Sequence, residues 1–260
     1  MHLLLCNDDG VNARGIRTLA RNLTDAGHRV TIVAPSEERS GQSHAMTFFR
    51  PVMVQKLSEG IYAVHGTPAD CAAIALIDIL KDDKPDIVIS GINHGPNVGS
   101  DVNYSGTVGA ATEAVFLGYK AIAVSTDLAQ FNGEAEERYA FEAAAHFMCE
   151  FLNQIDSISW PTLEVLNINH PGVPHQGVRV ASCGTLNLYN QNIDKLTCGK
   201  DYKKETSVYL LGGNSRRIHE RSNEDVHLLQ AGYVTLSFLQ CRQNSTQHNA
   251  ALESVAQKFS

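Results

Sequence analysis

Two adjacent carboxylates, Asp8 and Asp9, are the best candidates for metal chemistry in this sequence. Neighbouring carboxylates repel each other, and near the apolar edge of a sheet that repulsion requires a counter-charge such as a divalent cation. The hydroxyl of Ser40 and the amide oxygen of Asn93 would complete an all-oxygen shell, which suits Mg²⁺ or Mn²⁺ better than zinc. A turn with two solvated aspartates explains the Asp-Asp pair alone equally well, whereas polar loops after two further predicted strands favour the metal site.

A second group of candidates could bind the phosphate of a substrate. Ser105, Gly106 and Thr107 directly precede a predicted helix, where free N–H groups and the missing Cβ of glycine form a natural anion site. Helix capping by Ser105 or Thr107 explains these residues equally well, and the two roles are compatible. Asn97 and His44 lie in polar loops and could hold phosphoryl oxygens, although a loop histidine is more often simply exposed. On this interpretation, Gly106→Val weakens phosphate binding more than metal binding.

The loops that carry the metal candidates each follow a predicted strand. The carboxylate pair follows the apolar run 3–6, and the loop containing Asn93 follows the β-branched run 86–90. The loop containing Ser40 follows a third predicted strand at residues 30–33. Because ligands of open parallel sheets bind beyond the carboxyl ends of the strands, we expect these loops to meet at one edge. Further strands are predicted at residues 62–65, 121–125, 163–168 and 232–239.

Helical periodicity and capping signals predict the elements between these strands. Thr67, Pro68 and Asp70 mark a helix start as N-cap, first helical residue and capping-box partner. Strands that alternate with helices indicate an α/β fold, in which helices cover both faces of a mostly parallel sheet. The stretch 186–221 is polar and irregular apart from an apolar run at 208–211. Helices are predicted at residues 16–26, 67–80, 107–117, 135–152 and 246–259.

Composition narrows the class of protein. The chain has 260 residues, and its 43% hydrophobic content is ample for a full core. A formal net charge of −7 argues against a partner that is duplex nucleic acid. The six cysteines form no C-x-x-C pair, and no apolar run approaches the roughly 18 residues of a membrane span. We therefore expect a cytoplasmic protein with reduced thiols and no membrane partner.

Taken together, the motifs resemble those of the SurE family of survival-protein nucleotidases. The resemblance is dense in the first half of the chain, thinner near residues 183–185 and 232–235, and specific as a set. The matching segments, in chain order, are Asn-Asp-Asp-Gly at 7–10, Ala-Pro at 34–35 with Arg-Ser-Gly at 39–41, Gly-Thr-Pro-Ala-Asp-Cys at 66–71, Ser-Gly-Ile-Asn at 90–93 and Asp-Val-Asn-Tyr-Ser-Gly-Thr-Val at 101–108.

This resemblance implies a metal-dependent 5′/3′-nucleotidase with a Rossmann-like three-layer core at residues 1–185. It implies one divalent ion per subunit, bound by Asp8, Asp9, Ser40 and Asn93, with nucleoside monophosphates as substrates and short polyphosphate as a further one. Residues 186–260 would form a β-rich oligomerisation arm, a late strand and a closing helix, giving a homodimer or homotetramer. The sequence departs from the family pattern between residues 187 and 224, where the usual Asp-Pro-Arg-Gly stretch is missing.

Three other functions fit parts of the pattern. An aspartyl-phosphate phosphatase would use Asp8 as a nucleophile, but such enzymes usually carry Asp-x-Asp followed by Thr. A nicotinamide-dependent dehydrogenase is disfavoured because the Gly-x-Gly-x-x-Gly turn after the first strand is missing. A non-catalytic nucleotide-binding regulator would need the same fold without turnover. It is the principal alternative, although every candidate metal ligand is present.

Overall fold

A nine-stranded, mostly parallel sheet forms the centre of the molecule. The computed structural model describes residues 1–128, 131, 133–185, 192–196, 207–212 and 223–241. All pairings from β4 through β7 are parallel. β3 runs antiparallel to β4, and β11 runs antiparallel to β7 but parallel to β8. The spatial order is β3 (Val54–Ser58), β4 (Ile61–Val64), β2 (Arg29–Pro35), β1 (His2–Cys6), β5 (Ile87–His94), β6 (Ala121–Thr126), β7 (Glu164–His170), β11 (Val234–Gln240) and β8 (Val178–Val180).

Helices cover both faces of this sheet, which makes the fold a three-layer α/β sandwich. α1 (Arg14–Asp25) and α4 (Glu134–Leu152) pack on one face. α2 (Pro68–Ile74) and α3 (Gly106–Phe116) pack on the other. Successive side chains of β1 pack into opposite helix layers, because side chains alternate between the two faces of a strand. Leu3 and Leu5 join the α1–α4 core, and Leu4 joins the α2–α3 core.

The elements near the site agree with the pattern that predicted them. α1 buries Ile16, Leu19 and Leu23, which share one face at helical spacing. At the start of α2, Thr67 Oγ1 accepts a hydrogen bond from the Asp70 amide at 3.1 Å, and Asp70 Oδ2 accepts one from the Thr67 amide at 2.9 Å. The predicted capping box is therefore confirmed. α2 continues beyond Ile74 as a π-helical turn to Ile79.

Several elements differ from the prediction. β3 was not predicted because all five of its residues are exposed, so it lacks an apolar alternation. β5 continues to His94, which places Asn93 in the strand and not in a loop after it. Three short elements were also not predicted: the strands β8 and β9 (Asn192–Leu196) and the helix α5 (Asp225–Gln230). β10 (Val208–Gly212) covers the predicted apolar run and pairs with β9.

Two further expectations concern the chain as a whole. Among the described residues, no helix is long and apolar enough to cross a membrane. The predicted closing helix at 246–259 and most of the region from 186 to 222 lie outside the described residues. The division of the chain into a core and an arm therefore stays a prediction.

Candidate active site

The predicted meeting point of the polar loops lies at the carboxyl end of β1. This strand pairs with β2 on one side and β5 on the other, so the sheet order reverses there, where open α/β sheets bind ligands. The Arg39 amide donates to the Asp8 carbonyl at 2.7 Å, which joins the loop after β2 to the turn after β1. The His94 amide donates to Asp9 Oδ2 at 3.2 Å and joins β5 to the same turn.

The turn itself is built by Asn7 and Gly10. Asn7 Nδ2 donates to the Gly10 carbonyl at 2.9 Å, and Asn7 Oδ1 accepts from the Gly10 amide at 3.2 Å. Gly10 has φ +104°, and a Cβ there would lie 3.3 Å from the Glu37 carbonyl carbon. A side chain at this position would strain the turn and crowd the loop after β2. The two residues thus fix the backbone that carries the Asp-Asp pair.

Asp8 is buried and accepts hydrogen bonds from the N-terminus of α3. Its Oδ1 accepts a 2.5 Å hydrogen bond from the Thr107 hydroxyl. Burial raises the pKa of Asp8, and hydrogen bonds from the Thr107 hydroxyl and from the Thr107 and Gly106 amides oppose that rise. The positive end of the helix dipole favours a carboxylate at this position. Asp8 is therefore held in one orientation by hydrogen bonds from the start of α3.

Asp9 is less well compensated than Asp8. Burial and, secondarily, the charge of Asp8 raise the pKa of Asp9 to about 7, while the hydrogen bond from the His94 amide lowers it. The negative charge of Glu38 raises the pKa of Asp9 further. Within the part of the chain that the structure describes, the charged side chains that act on the Asp9 pKa are both acidic, which favours a counter-charge beside the pair. A divalent cation would supply one.

The two neutral candidates can complete such a site. Ser40 Oγ donates to Glu38 Oε1 at 3.0 Å, which leaves lone pairs on the hydroxyl oxygen for a cation. Asn93 Nδ2 donates to the Gly95 carbonyl at 2.7 Å, which turns its amide oxygen toward Thr107 at 3.3 Å. Among the described residues, no three His, Cys, Asp or Glu side chains group to hold a metal. A metal at this edge would therefore need oxygens from serine or asparagine.

The three residues at the start of α3 contact Asp8 and the helix itself. Ser105 Oγ accepts from the Val108 amide at 3.0 Å, which establishes it as the N-cap. A Cβ on Gly106 would lie 2.8 Å from Asp8 Cβ and 3.0 Å from Pro68 Cγ. Glycine is required there because Asp8 packs directly against the helix. Phosphate binding by Ser105, Gly106 and Thr107 stays a prediction, since the observed partner of the helix end is a carboxylate.

Comparison with known proteins places this arrangement in a family. The family model described as "Survival protein SurE" matches residues 3–191. The chain belongs to the SurE family. It is 39% identical over 243 residues to the 5′-nucleotidase SurE of Vibrio cholerae, covering 92% of this chain and 91% of that relative. It is 37% identical over 241 residues to the 5′-nucleotidase SurE of Actinobacillus pleuropneumoniae, covering 92% and 94% of the two chains.

A solved SurE structure extends the likeness to the fold. The crystal structure of the SurE protein from Aquifex aeolicus matches with a TM-score of 0.83 and 31% identity, covering 98% of this chain and 100% of that chain. The resemblance inferred from the motifs and the predicted three-layer α/β fold are thereby confirmed. The family match begins in β1 and includes every candidate site residue.

Asn97, a predicted phosphate ligand of this SurE-family chain, lies in a buried polar network. Its Nδ2 donates to Ser125 Oγ at 2.8 Å, and its amide donates to Asn169 Oδ1 at 2.7 Å. Its carbonyl accepts from Asn167 Nδ2 at 2.8 Å and from Asn169 Nδ2 at 3.0 Å. Asn169 thus pairs with both backbone groups of Asn97. Sequence reasoning missed these partners, although two asparagines two apart in the apolar run of β7 were the available signal.

His44 has a partner on the side of α3. Its Nε2 lies 2.7 Å from Glu113 Oε2, and its ring centroid lies 5.6 Å from that of Phe116. The loop that carries it is docked on the helix, since a Cβ on Gly109 would lie 2.2 Å from the Ser43 carbonyl oxygen. The contact orients His44 along the helix, and its role in phosphate binding stays a prediction.

Proposed function

We propose that this chain is a metal-dependent phosphomonoesterase that hydrolyses nucleoside 5′- and 3′-monophosphates to nucleoside and phosphate. The observation that carries this proposal is the buried Asp8-Asp9 pair at the reversal point of the sheet, where acidic neighbours act on Asp9, in a chain of the SurE family. Relatives with 37–39% identity over 92% of the chain carry the name 5′-nucleotidase SurE, which supports the enzymatic reading over a non-catalytic regulator. Short polyphosphate is a further proposed substrate.

The proposed cation is one Mg²⁺ or Mn²⁺ per subunit, bound by Asp8, Asp9, Ser40 and Asn93. The donor set is entirely oxygen, which suits a hard divalent ion. Such an ion supplies charge neutralisation for the carboxylates and Lewis acidity for the phosphoryl group. The arrangement of the two aspartates supports this assignment, because among the described residues the charged side chains that act on the Asp9 pKa are those of Asp8 and Glu38.

The chain's own residues would divide the remaining work. Asp8 accepts hydrogen bonds from the start of α3, so it would hold the end of that helix in place beside the site. Asp9 accepts the His94 amide and keeps more lone-pair capacity for orienting the attacking water or accepting its proton. The water oxygen bonds to phosphorus, the bond from phosphorus to the ester oxygen breaks, and the leaving alkoxide takes up a proton.

The phosphoryl oxygens would be held by the residues around the site. Asn97 and the segment from Ser105 to Thr107 are the proposed donors to charge that develops on those oxygens. His44 is the further candidate for this role or for proton donation to the leaving group. Asn97 is preorganised for such a task, since both its backbone groups and its side chain are hydrogen-bonded.

Assembly and location remain proposals from the sequence. We expect a homodimer or homotetramer formed through the arm at 186–260, and a cytoplasmic protein. Light scattering on the full chain would test the assembly, and a stable monomer would count against it.

The direct test is phosphate release from the purified full chain. Adenosine 5′-monophosphate, adenosine 3′-monophosphate and short polyphosphate are incubated with Mg²⁺, with Mn²⁺ and with a chelator. We expect release from the monophosphates that depends on added metal and stops with chelator. If no nucleotide releases phosphate under any metal condition, the proposed activity is wrong and a nucleotide-binding regulator becomes the better interpretation.

A further inference from the structure

The segment between β5 and α3 has both of its ends in the proposed active site. We call residues 95–105 the β5–α3 loop. Just before it stands Asn93, and just after it stands Thr107, whose hydroxyl lies 3.3 Å from Asn93 Oδ1. The loop also carries Asn97 and the N-cap Ser105. Its conformation therefore decides where several proposed substrate-binding groups lie.

Residues from a late part of the chain form hydrogen bonds with both the amide and the carbonyl of one loop residue, Gly99. The Gly99 amide donates to Asp225 Oδ2 at 3.0 Å. The Gly99 carbonyl accepts from Cys183 Sγ at 3.2 Å. One residue further on, Ser100 Oγ donates to the Thr185 carbonyl at 3.0 Å. These contacts fix the middle of the loop from a region that lies 126 residues away in sequence at Asp225.

Asp225 joins three segments through one fully buried carboxylate. While Oδ2 receives Gly99, Oδ1 accepts from the Gly184 amide at 3.0 Å and from the Val226 amide at 2.9 Å. A carboxylate suits this position because it accepts on both oxygens and donates on neither. An asparagine of the same shape would place an NH₂ group against at least one of these amides.

An apolar contact supports the same docking independently. Val98, Val226 and Leu229 form a core cluster of their own, separate from the two cores that cover the sheet. Val98 is the residue of the loop that precedes Gly99, and the other two belong to α5. Side-chain packing and hydrogen bonding thus both attach the loop to the start of α5.

We propose that Asp225 is a positioning residue of the active site, which holds the β5–α3 loop so that Asn97 and the start of α3 reach the phosphoryl group. The inference rests on the proposed function for its effect on turnover. Asp8, Asp9 and Ser40 arise from other segments, so the metal site does not depend on this loop for most of its ligands. Loss of Asp225 should therefore separate turnover from metal binding.

The test compares Asp225→Asn with the wild-type full chain. We expect kcat for adenosine 5′-monophosphate to fall by about 10- to 100-fold, because misplacement on the order of 1 Å costs about that much. The dissociation constant for Mn²⁺, measured by calorimetry without nucleotide, should change less than about threefold, since this loop supplies no charged ligand. Amide hydrogen exchange in residues 97–108 should accelerate by about tenfold or more, because the loop opens more readily.

Leu152→Ala provides the control for a general loss of stability. Leu152 is buried in the other core layer at the end of α4, so its truncation leaves a cavity in that layer and destabilises the fold. We expect this variant to melt earlier while kcat and the local exchange at 97–108 stay near wild type. An equal fall of kcat in this control would show that the Asp225 effect is only structural.

A second pair keeps the test informative if Asp225→Asn does not fold. Cys183→Ser retains a donor for the Gly99 carbonyl, and Cys183→Ala removes it. We expect the serine variant to keep near-normal kcat and exchange, whereas the alanine variant shows a severalfold loss. If hydrogen exchange at 97–108 is unchanged in Asp225→Asn, the positioning role is overturned. If Asp225→Asn is unfolded, unchanged exchange at 97–108 in Cys183→Ala overturns it instead. Exchange is read without substrate, so failure of the nucleotidase activity itself is a separate result.

Discussion

The helices α2 and α3 pack side by side on one face of the sheet, yet their N-termini are completed in different ways. The start of α2 is satisfied locally, because Thr67 and Asp70 bond to each other's amides within one turn. The start of α3 is capped by Ser105 but directs its next donors at Asp8, which lies 99 residues from Thr107 in sequence. Asp70 also accepts hydrogen bonds from the amide and the hydroxyl of Thr47 at 2.9 and 2.6 Å. The first arrangement therefore stabilises the helix and a preceding loop and includes no proposed metal ligand.

The second arrangement couples a helix end to the proposed metal site. A residue that caps its own helix can be altered at a cost confined to stability. A donor that reaches a buried carboxylate of another strand affects the orientation and charge of that carboxylate as well. Substitutions at the two helix starts should therefore differ in kind, and four experiments can sharpen or break this contrast.

The largest effect is expected at the carboxylates. Asp8→Asn and Asp9→Asn should each lower nucleotidase turnover by about 10³-fold or more, since each removes a charged ligand of the proposed cation. Their stabilities without metal should differ. Asp9→Asn relieves repulsion and should melt at or above the wild-type temperature in chelator, whereas Asp8→Asn turns an NH₂ toward the donors of α3 and should melt earlier. Steady-state turnover and thermal melts in chelator measure these effects in both variants. If either variant turns over at the wild-type rate, the aspartate replaced in it does not belong to the site.

The next effect is expected at Gly106. An alanine there would place Cβ 2.9 Å from Asp8 Oδ2 and 3.0 Å from Pro68 Cγ, so Asp8 must shift. Mn²⁺ affinity should fall by about tenfold and turnover by about 10²-fold, comparable to the loss of a preorganised group. This reverses the expectation from sequence, which assigned the Gly106 effect mainly to phosphate. The matched control is Gly133→Ala, where a Cβ meets no atom within 4 Å.

Paired titrations decide which interpretation of Gly106 is right. One titration uses Mn²⁺ alone, and the other uses inorganic phosphate in the presence of saturating Mn²⁺. Loss of Mn²⁺ binding supports the contact with Asp8. Retained Mn²⁺ binding with weakened phosphate binding would restore the phosphate role and contradict the comparison.

A smaller effect is expected at Thr107. Thr107→Val keeps the shape and the backbone amide but removes the hydroxyl that donates to Asp8. A hydrogen bond to a charged group contributes about 1.5–3 kcal/mol, so turnover should fall by about tenfold or somewhat more. Thr107→Ser should restore most of the activity because it restores the donor. If the valine variant turns over at the wild-type rate, the hydroxyl does not act on the site.

The smallest effect on function is expected at Thr67. Thr67→Ala removes the side-chain acceptor of the α2 capping box and should lower the free energy of unfolding by about 1 kcal/mol. Turnover and Mn²⁺ affinity should stay at wild-type values, because neither partner of this capping box is a proposed metal ligand. Urea unfolding and steady-state kinetics measure the two quantities. A fall in turnover beyond twofold would show that α2 is also coupled to the site.

The same contrast separates what could be predicted from what could not. The strands β1, β2, β5, β6 and β7 and the helices α1 to α4 follow from apolar runs, helical periodicity and capping signals, which are local. β3 and β8 did not, since exposed strands depend on backbone pairing and not on burial. That Asp8, Asp9, Ser40 and Asn93 lie at or after the carboxyl ends of the adjacent strands β1, β2 and β5 was accessible because parallel strands share one carboxyl edge.

The sequence by itself determined the α/β alternation, the place of the carboxylate pair and, through its motifs, membership of the SurE family. The tertiary structure alone decided the partners of the polar groups around that pair. Thr107 turns to Asp8, Asn97 is held by Asn169, and Gly99 is held by Asp225. The partners in these pairs lie 99, 72 and 126 residues apart. Residue spacing predicts local caps, but such distant partners are chosen by how the layers pack and by the need to satisfy every buried donor and acceptor.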